Sequence, residues 1–171
     1  VGDIYKYNDR AIGVVFFDDG TVTKVVALKD INANGAESSA TALYWSASYY
    51  ETYDYDVTGL TNISSESSAI ADMDGKSNTS AILSYIASKG YTAQAATATS
   101  KYAPSVCGSG TMCTKGNWYL PALGELVTIY NNLSKIQSSI SSAGGNQISK
   151  SYYWSSTEDS STYAWVLGFG N

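Results

Sequence analysis

The chain has 171 residues, of which 44% are apolar and only 15% are charged, and its formal net charge is −5. This length suits one domain with its own core, so we expect residues 1–171 to form a single domain. An acidic chain without a basic stripe repels phosphate backbones, which argues against binding to nucleic acid. No apolar run is long enough to span a membrane, so we expect no membrane insertion. The chain contains no histidine, which removes Ser-His-Asp and Cys-His catalysis.

The first predicted element is a β-hairpin within residues 11–30. Two runs rich in β-branched residues flank the sequence Asp-Asp-Gly at 18–20, and Asp-Gly is a strong signal for a hairpin turn. The first run, residues 12–16, is too apolar for a solvated strand. We therefore expect this hairpin to lie at the centre of the domain.

Residues 31–68 form a long, polar and aromatic stretch without a helical period. We expect a long loop that contains one short strand near residues 43–46. A loop of this length in a compact domain is usually functional or disordered. Its many tyrosines argue against disorder.

Residues 78–90, NTSAILSYIASKG, predict a helix. Asn78 is a favourable N-cap and Gly90 is a favourable stop. Ile82, Tyr85 and Ile86 fall on one face of this helix.

Residues 118–133, WYLPALGELVTIYNNL, predict a second helix with Pro121 in its first turn. An apolar stripe runs along this helix at helical spacing. It consists of Leu123, Leu126, Val127, Tyr130 and Leu133. Ile136 and Ile140 extend the stripe after a break, and Glu125 is interpreted as a support for the helix start.

Two strand-like pieces close the chain, around residues 151–155 and 163–168. The order of hairpin, long loop, helix, loop, helix and strands indicates an α+β fold. We expect one small, twisted and mainly antiparallel sheet with two helices and long loops.

The two cysteines, Cys107 and Cys113, are separated by five residues that include two glycines. A short disulfide loop is therefore feasible, and it suits a secreted protein. The alternative is a redox pair, but the spacing is not Cys-x-x-Cys. The Ser, Thr, Asn and Gly content is also typical of β-rich extracellular domains. We expect an extracellular or cell-surface location, although the chain shows no export signal.

Several motifs together resemble a family of bacterial surface domains. WYLPALGEL at 118–126 is followed by YYWSSTEDSSTYAW at 152–165, and GVVFFDDGTVTKVVALKD and ADMDGKSNTSAIL stand earlier. The family is common in gut Bacteroidales and is related to the C-terminal domain of collagen-like bacterial adhesins. The resemblance covers most of the chain and rests on the order and spacing of short motifs.

The resemblance implies a C-type-lectin-like fold, which is similar to that of formylglycine-generating enzymes. It also implies a binding function, as in adhesins, pilus-tip subunits or the variable ligand-binding proteins of diversity-generating retroelements. The sequence departs from the family in three respects. The chain stops at Asn171 before the family's final strand, Ala122 stands where a serine cap is usual, and the calcium-binding Glu-Pro-Asn motif of lectins is absent.

The aromatic residues around the two Tyr-Trp-Ser segments divide into two groups. Trp118, Trp154 and Trp165 are expected in the core, because large aromatics dominate core energetics. Tyrosine and serine dominate natural binding surfaces. The predicted ligand-binding residues are Tyr49, Tyr50, Tyr53, Tyr55, Tyr152, Asp159, Tyr163 and Asn171. The alternative for the first four is a loop packed over the sheet, with its hydroxyls in water.

We expect residues 46–56 and residues 152–171 to lie at one end of the sheet, because both follow a Tyr-Trp-Ser piece. Together they would form one acidic patch. The expected partner is a glycan or a protein on a host, bacterial or phage surface.

Two chemical alternatives accompany this interpretation. Asp72 and Asp74 in DMDGKSN resemble the start of a calcium loop, but the later glutamate of an EF-hand is missing. An oxidase-like enzyme would follow from the likeness to formylglycine-generating enzymes, which use a cysteine pair and copper late in the domain. Cys107 and Cys113 stand before the Trp-Tyr-Leu-Pro helix instead. Because fold kinship does not give chemistry, we expect no enzyme, no metal and no cofactor.

Overall fold

The structure is a computed structural model, and it describes residues 1–39, 42–47 and 56–170. These residues form seven strands and five helices. The strands are β1 (Ile4–Tyr7), β2 (Arg10–Asp18), β3 (Thr23–Ala27), β4 (Asp30–Ile31), β5 (Glu37–Ser38), β6 (Tyr152–Ser160) and β7 (Tyr163–Gly168). The helices are α1 (Glu66–Ala69), α2 (Gly75–Lys89), α3 (Gln94–Lys101), α4 (Leu123–Asn131) and α5 (Leu133–Ser142). The α+β class is therefore confirmed.

The predicted central hairpin is confirmed as β2 and β3, with β1 on the outer side of β2. Its turn is fixed by Asp19, whose Oδ1 accepts hydrogen bonds from Thr21 N and Val22 N, both at 2.8 Å. Gly20 has a φ of +84°, a conformation that glycine adopts without steric cost. The Asp-Gly pair thus acts through an Asx-type turn and a left-handed residue.

The prediction of a single sheet is wrong for the part of the chain that the structure describes. Strands β1, β2 and β3 form one antiparallel sheet, β4 and β5 a second, and β6 and β7 a third. The last two strands of the sequence therefore pair with each other rather than with the first hairpin.

The main core lies between the first sheet and the helices α4 and α5. Its buried members are Val14, Phe16, Leu126, Ile129, Ile136, Ile140 and Phe169. Of the apolar stripe predicted for residues 123–133, Leu126, Tyr130 and Leu133 belong to this core, and so do Ile136 and Ile140 of its predicted extension. Leu123 and Val127 are not among its members, whereas Ile129, which was not predicted, is. A second cluster is formed by Val57, Ile82, Tyr85, Ile86, Ala93 and Ala96, so the predicted face of α2 is also buried.

Helix α2 ends as predicted but begins earlier. Gly90 is its C-cap in the left-handed conformation. The prediction of Asn78 as N-cap is wrong, because the helix begins at Gly75 with Asp74 as the N-cap residue. A Cβ atom at Gly75 would lie 2.7 Å from Ala122 N and 2.9 Å from Leu120 O. Glycine at this position therefore lets the starts of α2 and α4 approach closely.

Helix α3 was not predicted, and the short strand expected at residues 43–46 is not formed. The two differences share one cause. The first amide groups of α3 need acceptors, and Ala95 N donates to Tyr44 O at 3.1 Å while Gln94 N donates to Ser46 O at 3.2 Å. The segment before Ala47 therefore serves as a helix cap rather than as a sheet strand.

Within the described ranges, no helix has the length and the apolar character that crossing a bilayer requires.

Candidate functional site

Five of the eight predicted ligand-binding residues lie outside the described residues. They are Tyr49, Tyr50, Tyr53, Tyr55 and Asn171. The structure therefore leaves the tyrosine-rich part of the predicted patch as a prediction.

The other three predicted residues lie on the β6–β7 hairpin. Tyr152 is 78% exposed and Tyr163 is 71% exposed, whereas Asp159 is partly buried. Tyr152 pairs with Gly168 at the open end of the hairpin, and Tyr163 pairs with Ser160 beside its turn. The two tyrosines are thus separated by the length of the strand, about 25 Å at the usual rise per residue. They form two exposed aromatic positions rather than one contact point.

The tryptophans expected in the core are only half buried, and each indole N–H binds a loop carbonyl. Trp118 Nε1 donates to Cys113 O at 2.9 Å, and Trp165 Nε1 donates to Ile63 O at 2.7 Å. Each indole nitrogen thus holds a loop segment in place. The tryptophans therefore anchor loops, which corrects the expectation that they lie inside the core.

The two Tyr-Trp-Ser segments bind each other. Trp45 Nε1 donates to Ser155 O at 3.0 Å, and Trp154 Nε1 donates to Leu43 O at 2.8 Å. Each tryptophan thus reaches the backbone of the segment that contains the other. This exchange fastens the loop before α3 to strand β6.

The most buried part of β6 is polar. Ser155, Ser156, Thr157 and Glu158 are each at most 3% exposed. Thr157 Oγ1 accepts from Leu123 N at 2.9 Å and donates to Asp72 Oδ2 at 2.7 Å. Ser156 N donates to Pro121 O at 2.8 Å. The polar segment is therefore the support for the start of α4, which no periodicity in the sequence indicates.

Glu125 lies at the centre of this support and is fully buried. Its Oε2 accepts from Ala122 N at 2.9 Å, which confirms its predicted role at the helix start. Its Oε1 accepts from Lys24 Nζ at 2.6 Å and from Tyr119 OH at 3.0 Å. Lys24 Nζ also donates to Met73 O. The ion pair thus joins β3 to the starts of α2 and α4.

Burial raises the pKa of the Glu125 carboxyl, while Lys24, the Ala122 amide and Tyr119 oppose that shift. Burial, together with the nearby Glu125 charge, raises the pKa of the Tyr119 hydroxyl as well. Perturbed groups of this kind are common at active sites and also in structural ion-pair networks. Among the described residues, the hydrogen-bond partners of Glu125 are Lys24, Tyr119 and the Ala122 amide, and these bonds connect β3 to the start of α4.

Asp72, one of the two candidate calcium ligands, also holds a helix start in place. Asp72 Oδ1 accepts from Asp74 N at 3.0 Å, and its Oδ2 accepts from Asn78 Nδ2 at 2.8 Å. A polar pocket of about 270 Å³ lies beside them and beside Ser156 and Glu158. In the described part of the chain, no three side chains of the His, Cys, Asp or Glu type come together as metal ligands. Asp72 orders the turn before α2.

The predicted disulfide between Cys107 and Cys113 is present, and it closes a loop beside the first sheet. The loop contacts that sheet through Tyr5, whose hydroxyl lies 3.3 Å from Met112 Sδ. Met112 is 63% exposed.

A large groove of about 1310 Å³ lies between β3 on one side and the start of β6 on the other. Its floor includes Leu126, Ile129 and Phe169, which belong to the main core. Aromatic residues line its sides. They are Tyr5, Tyr102, Trp118, Tyr119, Tyr152, Tyr153 and Trp154. A deep groove with apolar walls is the usual form of a binding site.

Comparison with known proteins gives no match: no family model, no curated protein and no solved structure is significantly similar to this chain.

Proposed function

We propose that this chain is a non-catalytic ligand-binding domain of an extracellular or cell-surface protein, of the adhesin or pilus-tip type. The proposal is supported by the resemblance of the motifs from WYLPALGEL to YYWSSTEDSSTYAW to the Bacteroidales surface domains, a resemblance that implies a C-type-lectin-like fold. Its ligand is a glycan or a protein.

The observation that carries this proposal is the inverted exposure of the β6–β7 hairpin. Ser155, Ser156 and Thr157 are buried, whereas Tyr152 and Tyr163 stand in solvent. The fold thus leaves two large aromatic side chains accessible to a ligand. Tyrosine provides rigid amphipathic contact area for sugar rings and for protein surfaces.

The buried polar groups support a binding role rather than a catalytic one. Glu125, Asp72 and Thr157 accept hydrogen bonds from backbone amides at the starts of α2 and α4. A catalytic acid or base needs access to a substrate atom, and Glu125 is fully enclosed by protein. The cysteine pair is a disulfide, which suits an oxidising location.

An array of glycans and surface proteins, probed with the purified domain, tests this proposal. Tyr152→Ala and Tyr163→Ala are each expected to weaken capture of the best ligand by about tenfold or more, as loss of an aromatic hot spot does. Tyr44→Ala is the matched control, because Tyr44 is also exposed, at 43%, and is not among the predicted ligand residues. Equal capture by all three variants would contradict the proposal.

Salt dependence distinguishes the two ligand classes. The chain carries a net charge of −5, so a basic protein partner is attracted over long range. Its binding is expected to weaken between low salt and physiological salt, whereas binding of a neutral glycan is expected to stay constant.

A further inference from the structure

A glycine near the end of the chain lies directly against an exposed aromatic ring. Tyr152 at the start of β6 pairs with Gly168 at the end of β7. A Cβ atom at Gly168 would lie 3.1 Å from Tyr152 Cε1, 3.4 Å from Cδ1 and 3.8 Å from Cζ. The Tyr152 ring therefore occupies the space that a side chain at position 168 would fill.

The neighbours of this pair explain why the ring points away from the core. Successive side chains of a strand point to opposite faces. Tyr153 packs against the main core and contacts Phe169, with the two ring centroids 5.1 Å apart. Phe169, which separates Gly168 from Gly170 in the sequence, is itself buried. Tyr152 and Gly168 therefore lie on the outer face of the hairpin, where Tyr152 is 78% exposed.

The same outer face continues into Trp154 and Val166, which pair with each other about 7 Å further along the strands. Val166 is 38% exposed. Trp154 is half-buried, and its indole N–H donates to Leu43 O at 2.8 Å. The exposed ring of Tyr152 thus has a supported underside, a neighbour held by a hydrogen bond and an open upper face.

An aromatic ring in this setting is suited to one class of ligand. A pyranose ring has a face of C–H groups that packs flat on an aromatic ring, while the sugar hydroxyls stay in water. A protein hot spot would instead need the ring to be enclosed and fully desolvated. Contact with the Gly168 backbone restricts the positions of the Tyr152 ring, so less side-chain freedom is lost when a sugar binds.

We infer that Tyr152, seated on Gly168, is the stacking platform for one uncharged pyranose ring, with Gly168 as its positioning residue. The inference rests on the proposed binding function and narrows its ligand from a glycan or a protein to a neutral glycan. The side chains of this surface are uncharged, and the net charge of −5 on the chain disfavours acidic sugars.

The contact also has a purely structural interpretation. Glycine weakens a strand, and an aromatic ring that covers the glycine backbone restores stability. The two interpretations differ in what they predict for sugar binding. Stacking makes the affinity depend on the ring and on its placement, whereas a structural role makes only the stability depend on them.

The first measurement is saturation-transfer NMR on the purified, oxidised protein, with methyl glucoside, methyl galactoside and methyl mannoside as probes. Saturation is expected to reach the C–H protons on one face of at least one of these sugars. Tyr152→Phe keeps the ring and should keep the affinity within about twofold. Tyr152→Leu keeps an apolar side chain without the ring and should lower the affinity about tenfold.

The second measurement tests the positioning role of Gly168. In Gly168→Ala the ring has to shift away from the new Cβ, and the sugar affinity is expected to fall about fivefold or more. In a Tyr152→Ala background the same change should alter the affinity by less than about twofold, because no platform is left to displace. Gly170→Ala is the matched control, since its Cβ would meet Lys150 O at an ordinary 3.5 Å.

Thermal melting shows whether each variant is folded, and the comparison of Tyr152→Phe with Tyr152→Leu does not depend on the glycine variants. Equal sugar affinity in these two tyrosine variants would overturn the stacking platform. An equal effect of Gly168→Ala with and without Tyr152 would overturn the positioning role.

Failure of this inference differs from failure of the proposed function. Capture of a protein but of no sugar, or capture of a glycan that does not depend on Tyr152, would overturn the inference and leave the binding function in place. Capture of neither a glycan nor a protein on the array would contradict both.

Discussion

The chain contains the tripeptide Tyr-Trp-Ser twice, and the two copies have different structures. Tyr44, Trp45 and Ser46 lie in an irregular segment whose carbonyls receive the first amides of α3. Tyr153, Trp154 and Ser155 lie in strand β6, where the serine is fully buried. The same three residues therefore cap a helix in one place and build a sheet in the other.

The difference arises from the groups that surround each copy in the folded protein. The second copy continues into Ser156 and Thr157, which bind the Pro121 carbonyl and the Leu123 amide at the start of α4. The first copy lies beside α3 instead and meets its unsatisfied amides. Local sequence supplies the same tryptophan to both, and tertiary neighbours decide its backbone conformation.

The largest expected loss of stability comes from removing Glu125, which holds the start of α4 next to the second Tyr-Trp-Ser copy. Glu125→Ala leaves the Lys24 ammonium and the Ala122 amide without their buried acceptor. We expect the free energy of unfolding to fall by about 3–5 kcal/mol, as when one partner of a buried ion pair is removed. Urea unfolding followed by tryptophan fluorescence measures it. A loss below about 1 kcal/mol would mean that the network does not hold the start of α4.

A smaller loss of stability is expected when the hydrogen bonds between β6 and the start of α4 are removed at Thr157. Thr157→Val keeps the shape of the side chain but removes the acceptor for Leu123 N and the donor to Asp72. A buried amide left without a partner costs about 1–3 kcal/mol. Thr162→Val, at an exposed position beside the turn of the same hairpin, is the control and should change stability by less than about 0.5 kcal/mol.

The link between the copies is expected to be symmetric. Trp45→Phe and Trp154→Phe each remove one indole-to-carbonyl hydrogen bond and keep an aromatic ring. Each should lower the free energy of unfolding by about 1 kcal/mol. In a double-mutant cycle the two are expected to couple by about 0.5 kcal/mol or more, because the bonds join the same two segments. Purely additive losses would show that the segments are held independently.

The smallest expected effect is a pH dependence of the free energy of unfolding that arises from Glu125. Burial raises the pKa of Glu125 in the folded protein, so the folded state holds that proton more tightly than the unfolded chain. Stability from this group is therefore present below the unfolded pKa of about 4.3 and decreases as pH rises through the folded pKa. Unfolding measured across this range should show the slope in the native protein. Glu125→Gln should lack it, and an identical slope in both proteins would assign it to another group.

Several features could be predicted from the sequence because their causes are local. The Asp-Gly turn between β2 and β3 needs only Asp19 and Gly20. The end of α2 at Gly90 and the disulfide between Cys107 and Cys113 also depend on near neighbours. The stripe of α4 follows from helical spacing alone.

The burial of Ser155–Thr157, the early start of α2 and the helix α3 were decided by the tertiary structure. Helix α3 has alanines and threonines where a helix signal needs larger apolar residues, and it is stabilised by carbonyls of a segment about fifty residues earlier. Serines and threonines next to a tryptophan look solvent-facing in a sequence, because their burial depends on distant amides that only folding brings to them.

The candidate sites divide in the same way. Tyr152 and Tyr163 could be proposed from composition, since tyrosine in a serine-rich stretch is typical of binding surfaces. Their separation along the hairpin, and the groove beside β3 and β6, could not. By itself the sequence determined the turns, the helix stripe, the disulfide and the aromatic character of the surface, because each depends on residues close together in the chain. Only the tertiary structure decided which polar residues are buried and how the described strands divide among sheets, because both depend on partners far away in the sequence.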